Sequence, residues 1–194
     1  MDKKAVAGIL NEIGILLTLS GENPFKCQAY HRAARTLETL PEDLGTLVAE
    51  KRLLELPGIG EALNEKISTL VTTGHLPYYD DLKASFPAGL LKLLAIPGLG
   101  PRGVRLLYDK LKIDSLEKLE AACREGRVEK LPGFGARSAE KILEGLAHLR
   151  TYQNQFLAVQ AQAEARVILE TFKFHKAVIQ IEVAGSLRRR KEVV

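Results

Sequence analysis

Cysteine is scarce in this chain of 194 residues, and the two that are present, Cys27 and Cys123, stand far apart. Two isolated cysteines cannot build a disulfide framework, and they do not supply the clustered ligands of a zinc site. We therefore expect reduced, structural thiols, which are usual in proteins of the cytosol.

Long apolar runs are also missing. No stretch approaches the ~18 consecutive apolar residues that a membrane-spanning helix requires. The first residues, Met1-Asp2-Lys3-Lys4, lead into an amphipathic helical pattern and not into the apolar segment of a signal peptide. These absences predict a cytoplasmic protein that has no membrane partner.

Most of the chain lacks an excess of charge of either sign. The formal net charge is +4, and residues 173–194, with six basic and two acidic side chains, account for all of it. The other 172 residues carry 22 basic and 22 acidic side chains, so they are not a uniformly basic surface. If this part binds nucleic acid, it must use local basic positions and backbone N–H groups.

One five-residue pattern, by contrast, occurs three times: LPGIG at 56–60, IPGLG at 96–100 and LPGFG at 131–135, each before a helical pattern. Proline ends the incoming helix, and glycine permits positive φ and the close approach of another backbone. The N-terminus of the following helix offers free N–H groups and a dipole that favour phosphate. A single copy is more often a plain helix corner, but three copies predict hairpins that hold a phosphodiester backbone.

Hydrophobic periodicity predicts a chain that is almost wholly helical. The predicted elements before the second glycine turn are a helix at 3–19, a helix that begins at the Asn23 cap with Pro24 in its first position, and short helices at 42–50, 78–84 and 87–95. Phe25 falls on the apolar side of the second helix. Further on, Asp114 or Ser115 caps a helix, and 151–172 form one long helix. Residues 177–184 show alternation of apolar and polar side chains and are rich in β-branched residues, which predicts one strand.

These features together resemble the N-terminal part of family X DNA polymerases of the bacterial, polymerase beta-like type, over essentially the whole chain. The resemblance runs in order through FKCQAY at 25–30, the first glycine turn, Glu65-Lys66-Ile67, the second glycine turn and VAGSLRR at 183–189. It implies a mainly α fold in three parts. These are a helical lyase-like domain at 1–75 with the first hairpin, a DNA-binding domain at 76–150 with the other two, and the incomplete start of a nucleotidyltransferase palm at 151–194.

The resemblance implies DNA contacts at the first two turns. Phosphates on the two sides of a gap or nick would meet the backbone around Gly58 and Gly60 and around Gly98 and Gly100, with Arg102 and Arg105 as side-chain contacts. Such contacts position DNA without reading its sequence. The family's turn carbonyls also coordinate Na⁺ or K⁺, and they correspond here to Leu56, Ile59, Ile96 and Leu99. The third turn has no family role that carries over, and we expect it to be mainly a structural corner.

A candidate nucleophile, Lys66, follows from the same resemblance. In lyase-active members, a lysine after the first turn attacks C1′ of a 5′-deoxyribose phosphate to form a Schiff base, and β-elimination follows. The attacking amine must be neutral, and partial burial beside an apolar stripe favours that form. Lys26 matches a residue that binds the 5′-phosphate, and Tyr30 matches an aromatic residue of the same pocket.

Two features of the sequence weigh against lyase activity. Other phosphate-binding lysines of the lyase-active members correspond here to Leu54, Ala62 and Tyr78. Lys141 has the same position relative to the third glycine turn that Lys66 has relative to the first. A surface lysine on a DNA-facing helix is therefore an equally weighted alternative for Lys66.

The residues after the predicted strand correspond to a nucleotide site. In the family, a Gly-Ser pair followed by arginine binds the triphosphate of the incoming deoxynucleotide, which implies this role for Gly185, Ser186 and Arg189. A solvated basic strand end is the alternative. Family members continue into a Gly-Asp-x-Asp segment that holds two Mg²⁺ or Mn²⁺ ions, whereas this sequence stops at 192–194 (EVV). We therefore expect no polymerase activity from these residues alone, because two-metal catalysis requires those carboxylates.

Three functions remain open at this stage. The chain is a monomeric, gap-binding portion of a base excision repair polymerase with a lyase candidate, or a non-catalytic helix-hairpin-helix DNA-binding module, or a scaffold in which the glycine turns are corners. The predicted strand with its Gly-Ser-x-x-Arg sequence favours the first, because a pure hairpin module does not need a nucleotidyltransferase strand.

Overall fold

In a computed structural model of the protein, residues 1–152, 158–175 and 177–189 are described. The described residues are mainly α-helical, which confirms the predicted fold class. The chain divides into two compact units, Met1–Ile142 and Leu143–Val194. The predicted three-part division at residues 75 and 150 stays a prediction. None of the helices within the described ranges is long and apolar enough to cross a membrane.

The first half of the larger unit is built on two helices, α1 (Lys3–Ser20) and α2 (Pro24–Glu38), which pack against each other. Asn23 caps α2 as predicted, and its side chain accepts a hydrogen bond of 2.9 Å from the Phe25 N–H. Helix α3 (Leu44–Ala49), a 3₁₀ turn (Leu53–Glu55) and α4 (Glu61–Thr73) complete this half. Their shared core includes the fully buried Leu10, Leu37, Leu47, Ile67 and Leu70.

The second half of this unit continues with α5 (Pro77–Ala84), α6 (Ala88–Leu93), α7 (Pro101–Leu111) and α8 (Leu116–Arg124). Ser115 caps α8, since its hydroxyl accepts a hydrogen bond from the Lys118 N–H. A 3₁₀ turn (Val128–Lys130) then leads to α9 (Ala136–Tyr152). Leu93 of α6 and Val104 and Leu107 of α7 are buried, and the two helices are in contact.

Both cysteines are buried and free, in agreement with the expected structural thiols. Burial, and to a smaller extent Glu129, raises the pKa of the Cys123 thiol to about 11. The thiolate is therefore suppressed at neutral pH, which makes this side chain a poor nucleophile.

The smaller unit corrects one prediction. Its described elements are α10 (Ala158–Phe172) and a short helical turn, α11 (Gly185–Arg188). Residues 177–184, predicted as a strand, carry no strand ladder. A strand needs a neighbour for its N–H and C=O groups, and the described residues supply none, so the alternating sequence remains irregular. The predicted helix at 151–172 is seen as α10 from Ala158; its segment at 153–157 lies outside the described residues.

Candidate nucleic-acid interface

The three glycine turns adopt one geometry. The first glycine of each pattern has positive φ: 83° at Gly58, 81° at Gly98 and 82° at Gly133. The residue after that glycine donates its N–H to the carbonyl of the first residue of the pattern, over 3.2 Å, 3.1 Å and 3.0 Å in the three copies. Proline second and a positive-φ glycine third are the features of a type II turn. We call these turns the first, second and third hairpin.

The second glycine of each hairpin has a different role. Gly60 and Gly100 are the N-caps of α4 and α7, with φ of −95° and −76°, values that any residue adopts. A Cβ added at Gly60, Gly100 or Gly135 would meet no atom within 4 Å. The fold itself therefore does not require glycine there. Its presence leaves exposed backbone that a second chain can approach closely, and no side chain caps the N–H groups of α4 or α7.

The apolar residue between the glycines points into the protein. Ile59 and Leu99 are buried, and Phe134 is half-buried. Each hairpin therefore keeps its apex on the surface while its centre is anchored. The first hairpin is further tied to α2, because the Thr36 hydroxyl donates a 3.1 Å hydrogen bond to the Pro57 carbonyl.

A cleft of about 570 Å³ lies between the second and third hairpins. Arg102 and Lys141 line it from the two sides, and Phe134 lies across Gly103 of α7. Both cationic side chains are exposed, so this cleft has a positive rim.

The two arginines predicted to contact DNA lie in different surroundings. Arg102, in the first turn of α7, is exposed. Arg105 is half-buried, forms a 3.2 Å ion pair with Asp109, and places its guanidinium where a Cβ on Gly21 would collide with it. Gly21 ends α1, and a cation at a helix C-terminus interacts favourably with the helix dipole. Arg105 therefore also joins α7 to α1.

Lys66 is half-buried in α4, as its place beside the apolar stripe predicts. Its Nζ donates a 3.3 Å hydrogen bond to the Ala62 carbonyl and lies 5.0 Å from the centre of the Tyr78 ring. The tyrosine that replaces an expected phosphate-binding lysine is thus in direct contact with the candidate nucleophile.

Lys26 and Tyr30 lie around the same tyrosine. Lys26 forms a 2.8 Å ion pair with Glu22, and this pair, more than the nearby Tyr78, raises the pKa of the lysine. Tyr30 belongs to the core, and burial, followed by Tyr78, raises the pKa of its phenol. The structure therefore brings the predicted lyase residues Lys26, Tyr30 and Lys66 together, with Tyr78 among them.

Phe25 is a residue that the sequence reasoning misplaced. It was predicted on the apolar side of α2, but 80% of its side chain is exposed. Because Asn23 caps the helix and Pro24 follows, Phe25 lies in the first turn, beyond the packed part of α2. The Asn23 cap signal in the sequence was sufficient to predict this position in the first turn, next to Lys26. An exposed aromatic ring beside a cation is suited to stack on an unpaired base.

The residues that were predicted to bind a nucleotide lie in the smaller unit. Gly185 begins α11 with φ of 66°, Ser186 follows it, and the Arg189 N–H donates a 3.3 Å hydrogen bond to the Gly185 carbonyl. Within the described parts of the chain, no three His, Cys, Asp or Glu side chains come together as a divalent metal site.

Comparison with known proteins agrees with the hairpin architecture. Residues 1–76 match the family model of a helix-hairpin-helix domain, and residues 90–147 match that of a SAM-like helix-hairpin-helix tandem. The second match includes both the second and the third hairpin.

Two curated proteins are similar in sequence. The DNA polymerase/3′-5′ exonuclease PolX of Bacillus subtilis strain 168 is 34% identical over all 194 residues, which correspond to 34% of its own length. The Holliday junction branch migration complex subunit RuvA of a Polaromonas species is 28% identical over 97 residues, 50% of this chain and 51% of that protein. The chain thus spans about a third of the first relative and half of the second. With identity to PolX along its whole length and hairpin domains in both halves of its larger unit, the chain fits the N-terminal part of a family X DNA polymerase.

Proposed function

We propose that this chain is the part of a family X repair polymerase that holds gapped or nicked DNA by its phosphates. The observation that carries the proposal concerns the position of the second glycine in each hairpin. This position is exposed, and its backbone conformation does not require glycine. No atom of the protein occupies the space where a Cβ would be. Such a surface suits a phosphodiester backbone that approaches main-chain N–H groups.

In this proposal the first and second hairpins take opposite sides of the gap. Gly58 and Gly60 serve one side, Gly98 and Gly100 serve the other, and Arg102 adds a charged contact. The Leu56 and Ile96 oxygens each accept one turn hydrogen bond, which leaves a second lone pair on each carbonyl. These oxygens, with those of Ile59 and Leu99, therefore fit a Na⁺ or K⁺ ion, which would offset phosphate charge when bound.

The test is the salt dependence of binding to gapped DNA, measured by fluorescence anisotropy. Because each basic side chain that pairs with a phosphate releases counterions, we expect sequence-independent binding that weakens between 50 mM and ~0.2 M salt. Replacing K⁺ by a bulky organic cation at constant ionic strength should weaken binding further if the turn carbonyls hold the ion. Absence of gap binding at low salt would favour the scaffold reading.

Lyase chemistry at Lys66 is the enzymatic part of the proposal. The neutral amine attacks C1′ of a 5′-deoxyribose phosphate, and loss of water leaves a Schiff base. Removal of a C2′ proton then breaks the C3′–O bond, which releases DNA with a 5′-phosphate and leaves the unsaturated sugar on the lysine. The supporting observation is that Lys66 is half-buried and lies within one cluster with Lys26 and Tyr30.

Borohydride trapping on DNA with a 5′-deoxyribose phosphate tests this part. We expect a covalent adduct with the wild type and none with Lys66→Ala. Lys141→Ala is the matched control, since Lys141 holds the same slot after the third hairpin, and it should trap normally. Equal trapping by Lys66→Ala, or no adduct with the wild type, would contradict the assignment.

A non-catalytic hairpin module is the second candidate, and two observations favour it. One is the match to the family model of a helix-hairpin-helix tandem, and the other is the similarity to RuvA, which is named as a subunit of a Holliday junction branch migration complex and not as a polymerase. Gap binding without any trapped adduct would support it.

Nucleotide addition belongs to the whole polymerase. There, Gly185, Ser186 and Arg189 would bind the triphosphate of a deoxynucleotide while Mg²⁺ or Mn²⁺ ions stabilise the charge of the transferred phosphoryl group. Among the described residues, no three His, Cys, Asp or Glu side chains come together to hold such ions.

A further inference from the structure

The segment before the third hairpin has the same local structure as the segment before the first. Two residues after α3 and α8 end, the chain has a left-handed residue, Lys51 with φ of 59° and Gly126 with φ of 66°. The next residue, Arg52 or Arg127, donates its N–H over 2.9 Å to a carbonyl of the preceding helix. A three-residue 3₁₀ turn then enters the hairpin in each case. A plain corner between two helices does not require this agreement.

The third hairpin also has the exposed features of the second. Gly135 is exposed, and a Cβ added there would meet no atom within 4 Å, as at Gly100. Arg137 follows Gly135 by two positions, as Arg102 follows Gly100, and both arginines are exposed. Each of these hairpins can therefore offer a phosphate both main-chain N–H groups and a guanidinium.

The second and third hairpins are packed against each other at Gly103 of α7. A Cβ on Gly103 would lie 3.0 Å from the Leu99 side chain and 3.3 Å from the Phe134 ring. These are the apolar residues between the glycines of the two hairpins, so both hairpins are anchored at the same point of α7. A larger side chain at this position would push them apart. The packing therefore fixes the separation of the two hairpins.

The cleft of about 570 Å³ lies between these two fixed hairpins, with Gly98 on one side and Gly133 on the other. Its described lining includes two cationic side chains and no Asp or Glu. A positive cleft between two exposed main-chain turns suits a ligand that has two separate phosphate backbones. Duplex DNA has two such backbones, one on each side of a groove, whereas a single strand has one.

We propose that the third hairpin is a further DNA-backbone site, and that with the second hairpin it holds the opposite strand of the same duplex flank. This inference rests on the proposed function, because it requires phosphate at the second hairpin. It replaces the expectation of a structural corner. Intact and gapped DNA both contain duplex flanks, so the third hairpin adds affinity for both and leaves the preference for the gap unchanged.

The variant that tests this site is Gly135→Ala/Arg137→Ala. It should fold normally, because the alanine Cβ at 135 meets nothing and Arg137 is exposed, and thermal unfolding checks this. Lys118→Ala is the matched control for the lost charge. Lys118 is exposed in α8 and forms a 2.8 Å ion pair with Asp114, away from the glycine turns in sequence. Gly100→Ala is the corresponding variant of the second hairpin.

Fluorescence anisotropy with an intact duplex is the first measurement. The third-hairpin double variant should bind about tenfold more weakly than the wild type, as expected for the loss of hydrogen bonds to a charged group. Its slope of log affinity against log salt should fall by about 1. Lys118→Ala should keep the wild-type affinity and slope. A double variant that binds intact duplex as tightly as the wild type would overturn the proposal.

Neutral methylphosphonates in place of phosphates then identify the strands. Gapped DNA fixes the orientation of the protein, and each strand of each flank is neutralised in turn. In one flank, neutralising either strand should weaken wild-type binding. The third-hairpin double variant should become insensitive to one of these two strands, and Gly100→Ala to the other.

The outcomes separate this inference from the proposed function. Wild-type binding that depends on only one strand in every flank would overturn the assignment of opposite strands. Weaker binding by Gly100→Ala together with unchanged binding by the third-hairpin double variant would overturn this inference alone and leave the proposed function intact. Absence of any DNA binding by the wild type would overturn both.

Discussion

Glycine occurs twice in each hairpin for two physical reasons. Gly98 has φ of 81°, a left-handed conformation that costs other residues about 1–2 kcal/mol. Gly100 has an extended φ of −76° and no atom within 4 Å of an added Cβ. The first glycine therefore stabilises the turn, and the second keeps the turn accessible.

This difference predicts opposite outcomes for two alanine variants. Gly98→Ala should lower the free energy of unfolding by about 1–2 kcal/mol, because alanine must adopt the strained φ. Gly100→Ala should leave that free energy within about 0.5 kcal/mol of the wild type, because its Cβ meets nothing in the free protein. Urea unfolding measures both. Equal destabilisation by the two variants would show that the glycines do not have separate roles.

The sequence pattern indicated both glycines but not which of them carries the positive φ, since spacing alone does not distinguish them. It also did not indicate that Arg105 lies against the end of α1, because that contact joins helices far apart in the chain. The contact of Lys66 with Tyr78 has the same origin: residues 12 apart meet only once α4 and α5 have packed.

Arg102 is exposed, whereas Arg105 lies against the end of α1. We therefore expect different consequences when either positive charge is removed from α7. Arg102→Ala should weaken DNA binding uniformly across sequences and reduce the slope of log affinity against log salt by about 1. Arg105→Ala should change that slope less and lower stability instead, because its guanidinium packs on Gly21 and pairs with Asp109. Anisotropy titrations over a salt series, with urea unfolding of both variants, make the comparison. A larger slope change for Arg105→Ala would reverse the assignment.

At the scale of elements, the helices and their caps were largely readable from the sequence. Asn23 caps the helix predicted for it, and of the two predicted candidates, Asp114 and Ser115, the structure has Ser115 as the cap of α8. A short polar side chain just before an apolar helical period is typical of an N-cap. The predicted strand at 177–184 is not confirmed. Alternation of β-branched residues reports a tendency to pair, but pairing requires a partner strand, and none is found among the described residues.

One titratable side chain, His31, lies where α2 packs on α1. His31 lies against Gly14 of α1, and its Nδ1 is 2.6 Å from the Asn11 side-chain oxygen. Burial, and then the Arg35 charge, lower the pKa of His31 below its usual value. The unfolded chain therefore binds the proton more readily, so stability should decline as the pH falls from about 6.5 through the lower pKa of the folded state.

Urea unfolding at pH 7.5 and pH 5 tests this prediction. His31→Gln should reduce the loss of stability between the two pH values. The control is His75→Gln, since His75 is exposed and its Nε2 lies 2.6 Å from an Asp80 carboxylate oxygen, and this variant should keep the acid sensitivity that originates at His31. If His31→Gln loses as much stability at pH 5 as the wild type, another group is responsible.

At the scale of the whole molecule, the ordered set of motifs indicated a family, and the 34% identity to PolX along the chain agrees with it. Of the three hairpins, the third is the one whose function the sequence and the structure define least. It has the geometry of the other two and lies in the region that matches a hairpin tandem. The prediction that it is mainly a structural corner therefore needs a functional comparison with the second hairpin.

The central claim is that the first two hairpins hold the two sides of a gap through close backbone approach. The most direct measurement is the affinity for DNA with a one-nucleotide gap, relative to intact duplex, for the double variant Gly60→Ala/Gly100→Ala. Gly135→Ala in the third hairpin is the matched control. We predict that the double variant folds normally but loses most of its preference for the gap, while Gly135→Ala keeps it. A double variant that binds gapped DNA as tightly and selectively as the wild type would contradict the claim.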